Sequence, residues 1–274
     1  MNESTTTENA LPPIDRSWRT WAGALGGRVS TMMLRHAGEQ LTGDLAPRAV
    51  HSSFLAPVSD RPLVVRSEVV RQSRTSAVVR STLVQHERPV ALATALFGTA
   101  GDKPTLQAPA APVVPAPEDC PDAGFPARMF PYTGHFETRM AGEERPFGGG
   151  TKPEMTAWIR LREPDLSPAG AALVLLDAMP PAVYAATSEL VSVPTAEYSV
   201  HFADGLSFAG SGDWALVRVN TDQASDSWAV ESSSMWSADG TLLAVGRQTR
   251  QILRPAAPGG AVQVPPTWWT GAGA

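Results

Sequence analysis

The stretch SPAGAALVLLDAMPPAVYAAT, Ser167 to Thr187, carries a single charge, Asp177. Ser167 suits an N-cap, and Pro168 suits the first turn, where a missing N–H goes unnoticed. A helix is therefore expected over 168–187. Four strand-like runs follow it: Thr195–Phe202, Trp214–Asp222, Trp228–Trp236 and Leu242–Leu253. Asp239–Gly240, between the last two, is a strong hairpin signal. Two further strand candidates, His135–Met140 and Met155–Leu161, precede the helix.

The same plan stands upstream. In GGRVSTMMLRHAGEQL, Gly26 to Leu41, the residues Val29, Met32, Met33, His36 and Ala37 recur at helical spacing, which predicts a central helix over about 27–41. The runs Ala49–Leu55, Leu63–Arg71, Ala77–His86 and Val90–Phe97 follow, the last entered through a turn at Glu87–Arg88–Pro89. They are β-branched and closely spaced, which favours antiparallel hairpins. The two blocks can be laid over each other. Phe54 matches Phe202 at an offset of 148, and Leu92–Ala93 matches Leu243–Ala244 at an offset of 151. The chain thus reads as a duplicated α+β unit, in each of which an antiparallel sheet can wrap one long helix.

Proline and glycine, 25 and 23 residues, mark the boundaries. Residues 1–14 are expected to be a disordered tail, 15–102 the first unit, 103–127 a Pro/Ala-rich extended linker, 128–254 the second unit and 255–274 an irregular tail. The Trp268–Trp269 pair in that last tail is a candidate for docking on a surface. The 274 residues are 43% hydrophobic and 18% charged with a net charge of −5, which excludes a disordered chain and a basic nucleic-acid binder. The single cysteine, Cys120, excludes an internal disulfide and a thiolate-rich zinc site, and it reads as incidental. The first residues show no secretory signal, and the longest strongly apolar run, Ala171–Leu176, is far short of the roughly 20 residues that span a bilayer. A soluble cytoplasmic protein is expected, with no membrane span and no nucleic-acid partner.

Familiar catalytic motifs are missing. Ser211 lies in GSG at the wrong spacing for a nucleophile elbow, and Gly148–Lys152 lacks the order of a phosphate loop. The five histidines form no metal-binding pair, so no metal site is expected. Asp177 is the strongest candidate, because a carboxylate in an apolar helix is costly unless paired or neutralised. Pro180 and Pro181 free carbonyls one turn back and make the backbone irregular there. The alternative is a solvated helix end. Gln248 shares a strand face with Leu242, Ala244, Gly246 and Arg250, whose small members leave room for a ligand. Leu96 stands near the matching position of the first unit, an apolar residue where the second has an amide, so one site per chain is expected. Thr195 shares its face with Glu197, Ser199 and His201; a plain polar strand face is its alternative reading.

Three stretches resemble the thioesterase II type of double-hotdog acyl-CoA thioesterases: His51–Phe97 with its HSSFLAP opening, TAEYSVHF at Thr195–Phe202, and DGTLLAVGRQTRQILR at Asp239–Arg254, together with LLDAMPPAV in the helix. The resemblance spans about residues 20–254. It implies an α+β double hotdog fold and hydrolysis of acyl-CoA, or another acyl thioester, by a water held by Asp177, Thr195 and Gln248. Asp177 would take or polarise the water's proton while Thr195 and Gln248 orient it. Gly26 and Gly27, at the start of the other helix, would supply oxyanion donors. No cofactor is implied.

Two other functions stay open on this fold. A hydratase or dehydratase of acyl thioesters needs a His paired with Asp or Asn near a central helix, and His36 has only Glu39 nearby. A non-catalytic pocket for an acyl or polyketide ligand needs no such set. Two hotdogs in one chain mimic a dimer, so a monomer and a homo-oligomer are both open.

Overall fold

Eleven strands pair into one antiparallel sheet, and inward apolar residues alternate with outward polar ones along most of them. In chain order they are β1 Thr6–Leu11, β2 Ala46–Phe54, β3 Leu63–Gln72, β4 Ser76–Gln85, β5 Arg88–Gly98, β6 Phe136–Met140, β7 Glu154–Leu161, β8 Thr195–Phe202, β9 Ala215–Ala224, β10 Trp228–Ser237 and β11 Leu242–Gln251. The computed structural model describes residues 6–101, 106, 109–162, 166–204, 206, 212–253 and 262–263. Across the sheet the order is β1-β3-β4-β5-β2-β8-β11-β10-β9-β7-β6. The seam is β2 against β8, with Val50 opposite Val200. Because that seam is hydrogen-bonded, neither half exposes an unpaired edge to the other.

The duplication is written in the registers. Irregularities fall between Pro47 and Ala49 in β2 and between Thr195 and Glu197 in β8. They recur between Val69 and Arg71 in β3 and between Thr221 and Gln223 in β9. A third pair lies between Leu83 and Val84 in β4 and between Met235 and Trp236 in β10. Bulges set local twist, so their repetition gives both halves one curvature. Phe54 stands opposite Ala91 as Phe202 stands opposite Ala244. That confirms the offset of 148 and moves the second one from 151 to 153. The counterpart of Gln248 is therefore Ala95. Leu96 is 42% exposed on the outer face, while Ala95 and Phe97 are each 2% exposed. In a run of small and branched residues a slip of one leaves composition intact but reverses the face.

Two helices lie against the concave inner faces. α1, Gly26–Gly38, buries Val29, Met33, Leu34 and Ala37 on β2–β5, and α2, Pro168–Leu176, is buried from Ala169 through Leu176 among α1, β7 and β9–β11. They cross closely. A Cβ on Gly27 would sit 2.4 Å from the Leu173 carbonyl oxygen, and one on Gly170 would sit 2.8 Å from Thr31 Cγ2.

Several expectations are corrected. The helices have 13 and nine residues, so neither is long, and α2 stops at Leu176 instead of running to 187. Pro180 would clash with the carbonyl four residues back, and Pro181 cannot donate. The chain resumes as a 3₁₀ turn at Ala182–Ala186. The expected tail contains β1, paired with β3 from Thr6 opposite Glu68 to Leu11 opposite Leu63. The expected linker is docked where it is described: Trp236 Nε1 donates to the Pro109 carbonyl at 3.0 Å and Trp158 Nε1 to that of Pro115 at 2.9 Å. Buried indoles need acceptors, and a proline-rich segment has carbonyls to spare. Cys120 is buried in that same cluster on the outer face of the sheet. The β4–β5 turn is His86–Glu87, both at positive φ (52° and 61°), so Arg88 and Pro89 already belong to β5. Val262–Gln263 pairs with Glu189–Leu190, whereas Trp268 and Trp269 lie outside the described residues. Among the described residues no helix is long and apolar enough to cross a membrane.

The crossing predicts a contrast. Gly27→Ala should cost about 1–3 kcal/mol through overpacking against backbone. Gly38→Ala, whose Cβ would meet Phe97 at an ordinary 3.5 Å, should leave the melting temperature nearly unchanged. Equal losses by thermal denaturation would contradict so tight a helix contact.

Candidate active site

α2 ends where α1 begins. Asp177 is the C-cap of α2, with φ −103° and ψ 4°, and it meets the first turn of α1. The Gly27 N–H donates to Asp177 Oδ2 at 2.8 Å. A helix N-terminus favours such a negative partner. Asp177 is indeed at a helix end, as the plain alternative has it, but it is 6% exposed and not solvated.

From Asp177 a directional chain of hydrogen bonds runs across the second half. Gln248 Nε2 donates to Asp177 Oδ1 at 3.0 Å. Thr195 Oγ1 donates to Gln248 Oε1 at 2.7 Å. Arg250 Nη1 donates to Thr195 Oγ1 at 2.8 Å. Arg250 Nε donates to Glu231 Oε2, and its Nη2 lies 3.8 Å from Asp177 Oδ1. Glu231 Oε1 accepts from the Ala182 N–H at 2.5 Å and from Thr221 Oγ1 at 3.4 Å. Below Asp177, the Tyr198 hydroxyl donates to the Leu173 carbonyl at 2.9 Å.

Charge in this site is set by burial first. Desolvation pushes the Asp177 carboxyl above its usual range, against the Arg250 guanidinium, the Gly27 N–H and the Gln248 amide. Burial also opposes the charge on Arg250, but Glu231 and Asp177 outweigh it and hold the guanidinium above its ordinary value. The hydroxyls of Tyr132, Tyr184 and Tyr198 are all pushed up by burial.

A cavity of about 520 Å³ opens on this chain. Asp177, Thr195 and Arg250 line it, as do aromatic side chains from both halves, Phe54, Phe130, Tyr132 and Phe147 among them. Gln248 is not among the lining residues and stands behind Asp177 and Thr195. Trp21, Leu55 and Leu253 are lining residues that remain exposed to solvent.

The structure thus brings Asp177, Thr195 and Gln248 into one bonded set. Of the two glycines, Gly26 lines the cavity, but the N–H of Gly27 is engaged by Asp177 and is not free for an oxyanion. His36 does not line the cavity; its Nδ1 bonds Ser67 Oγ at 2.7 Å. Among the described residues no group of three or more His, Cys, Asp or Glu is placed to hold a metal.

Arg250 and Glu231 were not picked out as candidates from sequence. Arg250 shares the inward face of Gln248 by simple alternation. Glu231 is a lone acid on a face otherwise made of Ala229, Ser233 and Met235. Those alternations were the available signal.

The first half has no equivalent set. Thr31, four residues after Gly27, meets Gly170, and Val174, four after Gly170, meets Gly27. Counting on, Asp177 corresponds to Leu34. The registers pair Thr195 with Pro47 and Gln248 with Ala95.

Residues 14–98 match the family model of the acyl-CoA thioesterase N-terminal domain, and residues 117–252 match that of the acyl-CoA thioesterase C-terminal domain. None of the curated proteins matches the chain. A hot dog-fold protein from Alicyclobacillus acidocaldarius is similar, with a TM-score of 0.81 at 23% identity over 93% of this chain and 95% of that one. So is the tesB protein of Mycobacterium avium subsp. paratuberculosis, at 0.74 and 20% identity over 90% and 93% of the two chains. The acyl-CoA thioesterase II TesB2 of Mycobacterium marinum gives 0.69 and 20% identity over 91% and 94%. These likenesses show a hot dog fold. With the two family models matched in order over most of its length, the chain belongs to the acyl-CoA thioesterase family.

Proposed function

We propose that this thioesterase cleaves acyl-CoA with a water held between Asp177 and Thr195 at the cavity wall. The observation that carries the proposal is the bonded chain Thr195–Gln248–Asp177, ending on a buried carboxylate that faces the cavity. The donor pattern explains how a water is oriented. Thr195 spends its proton on Gln248 and one lone pair on Arg250, so a second lone pair is left to accept. Each Asp177 oxygen likewise accepts once and can accept again. A water that donates to both turns its oxygen lone pairs away from them, toward the cavity.

That oxygen attacks the thioester carbonyl while Asp177 takes the proton. The tetrahedral adduct then expels the thiolate, which recovers a proton, leaving free acid and thiol. A carboxylate raised by burial is a better base than a solvated one. Gly26, in the first turn of α1, has no carbonyl partner within the helix and lines the cavity, so its N–H suits the oxyanion. Gln248 acts from behind, fixing the Thr195 hydroxyl and Asp177 instead of touching the water. The aromatic cavity suits the acyl group.

Asp177→Asn should lower thiol release from acyl-CoA by about 10²–10⁴, the usual share of a positioned acid–base group. Thr195→Ala and Gln248→Ala should each lose less, and less than additively with Asp177→Asn, since all act on one water. Asp177→Asn at the wild-type rate, across a panel of acyl-CoAs, would sink the mechanism.

The sign of the pH dependence follows from Asp177. It must be ionised to accept a proton, and burial raises its pKa. Hence kcat/KM should fall as pH drops through that raised value, above the usual carboxylate range. An acid limb at the range of an exposed aspartate would contradict this.

A further inference from the structure

We propose that Arg250, clamped by Glu231, is a positioning residue for hydrolysis: it fixes the Thr195 hydroxyl and holds a positive charge beside Asp177. The proposal rests on the reading of Asp177, Thr195 and Gln248 as the hydrolytic set.

The two halves provide the control. Arg250 stands opposite Ala229 and Thr195, as Phe97 stands opposite Ala77 and Pro47. Glu231 stands opposite Gln248, as Val79 stands opposite Ala95. Phe97 and Val79 are buried, so the same backbone is satisfied by an apolar pair at the same two positions. A buried ion pair is generally no more stabilising than well-packed apolar residues of similar volume. The fold therefore does not require Arg250 and Glu231, yet both are buried, at 7% and 4% exposure, next to the polar chain.

Their geometry suits a clamp. The guanidinium uses three nitrogens in three directions: Nε on Glu231, Nη1 on Thr195, and Nη2 at 3.8 Å from Asp177 Oδ1. A planar fork can serve three partners at once; an ammonium cannot hold the same fixed geometry. Arg250 Nη1 occupies one lone pair of Thr195, which leaves its proton for Gln248 and turns the other lone pair outward. Glu231 is itself held by the Ala182 N–H, just after Pro180–Pro181, and by Thr221.

The groups facing Asp177 from its surroundings are Arg250 on β11, Glu231 on β10, Tyr198 on β8 and Tyr132 in the 3₁₀ turn Pro131–His135; α1 presents the backbone of Gly27. The tyrosines are neutral at catalytic pH, so Arg250 is the cation acting on Asp177 among the described residues. Without it, Asp177 would be harder to ionise.

The test is Glu231→Val/Arg250→Phe, which installs the first half's residues, with Glu231→Gln/Arg250→Gln as the alternative if that pair does not fold. The folded variant should melt near the wild type and lose about 10–100-fold in kcat, up to the loss that a misplacement of about 1 Å brings. KM should change little, and the acid limb of kcat/KM should move up by about one pH unit or more. Arg250→Lys, which keeps charge without the fork, should bring the limb back toward wild type while kcat stays low. A folded neutral variant with wild-type kcat and an unmoved limb overturns the proposal. So does Arg250→Lys with a limb displaced as far as the neutral variant's. Asp177→Asn runs alongside: if it too is unimpaired, the hydrolytic reading falls, and if it alone is impaired, only the role of Arg250 falls.

Discussion

The hydrogen bond from Gly27 to Asp177 joins residues 150 positions apart and ties the start of one helix to the end of the other. A carboxylate deep in an apolar interior is costly unless its charge is met. Here a first-turn N–H meets it, at the positive end of α1. That contact depends on a close helix crossing, which a Cβ at position 27 would force to shift. It depends equally on Pro180 and Pro181, which stop α2 at Leu176 and leave Asp177 on an irregular end. Had the helix run on, the Asp177 backbone would be locked in the ladder.

Duplication supplied two such helix junctions, and the chain polarised one. At corresponding positions the first half carries Leu34, Pro47, Ala95, Val79 and Phe97 against Asp177, Thr195, Gln248, Glu231 and Arg250 in the second. The shared bulges keep both halves on one backbone plan. The contrast therefore separates what the fold needs from what the proposed hydrolysis needs. At these positions the first half carries apolar residues, and the second carries a polar chain of which Asp177, Thr195 and Arg250 line the cavity.

Much of the architecture was legible because strand alternation is a strong signal. TAEYSVHF fell on β8 residue for residue, and most other strands were placed within one or two residues. Asp177 stood out as the one charge in an apolar run, and Gln248 by its small-residue face. Other features lacked a local signal. TTENAL in β1 has little apolar alternation and is ordered by pairing with β3. His86–Glu87 turns through positive φ without glycine. Glu231 and Arg250 were hidden because charged residues on strands usually face water. Their burial follows from partners 19 positions apart across a hairpin register. The slip that singled out Leu96 arose where small residues repeat, since composition there carries no register.

On the proposed mechanism, one polarised helix junction per chain handles the thioester. A crystal structure with a non-hydrolysable thioether analogue of an acyl-CoA tests it most directly. One ligand per chain is expected, its acyl group in the aromatic cavity, its carbonyl oxygen within hydrogen-bond reach of Gly26 N–H, and a water bridging Asp177 and Thr195. A ligand seated at the Leu34 junction, or one whose carbonyl lies away from Asp177 with no water between Asp177 and Thr195, would contradict it.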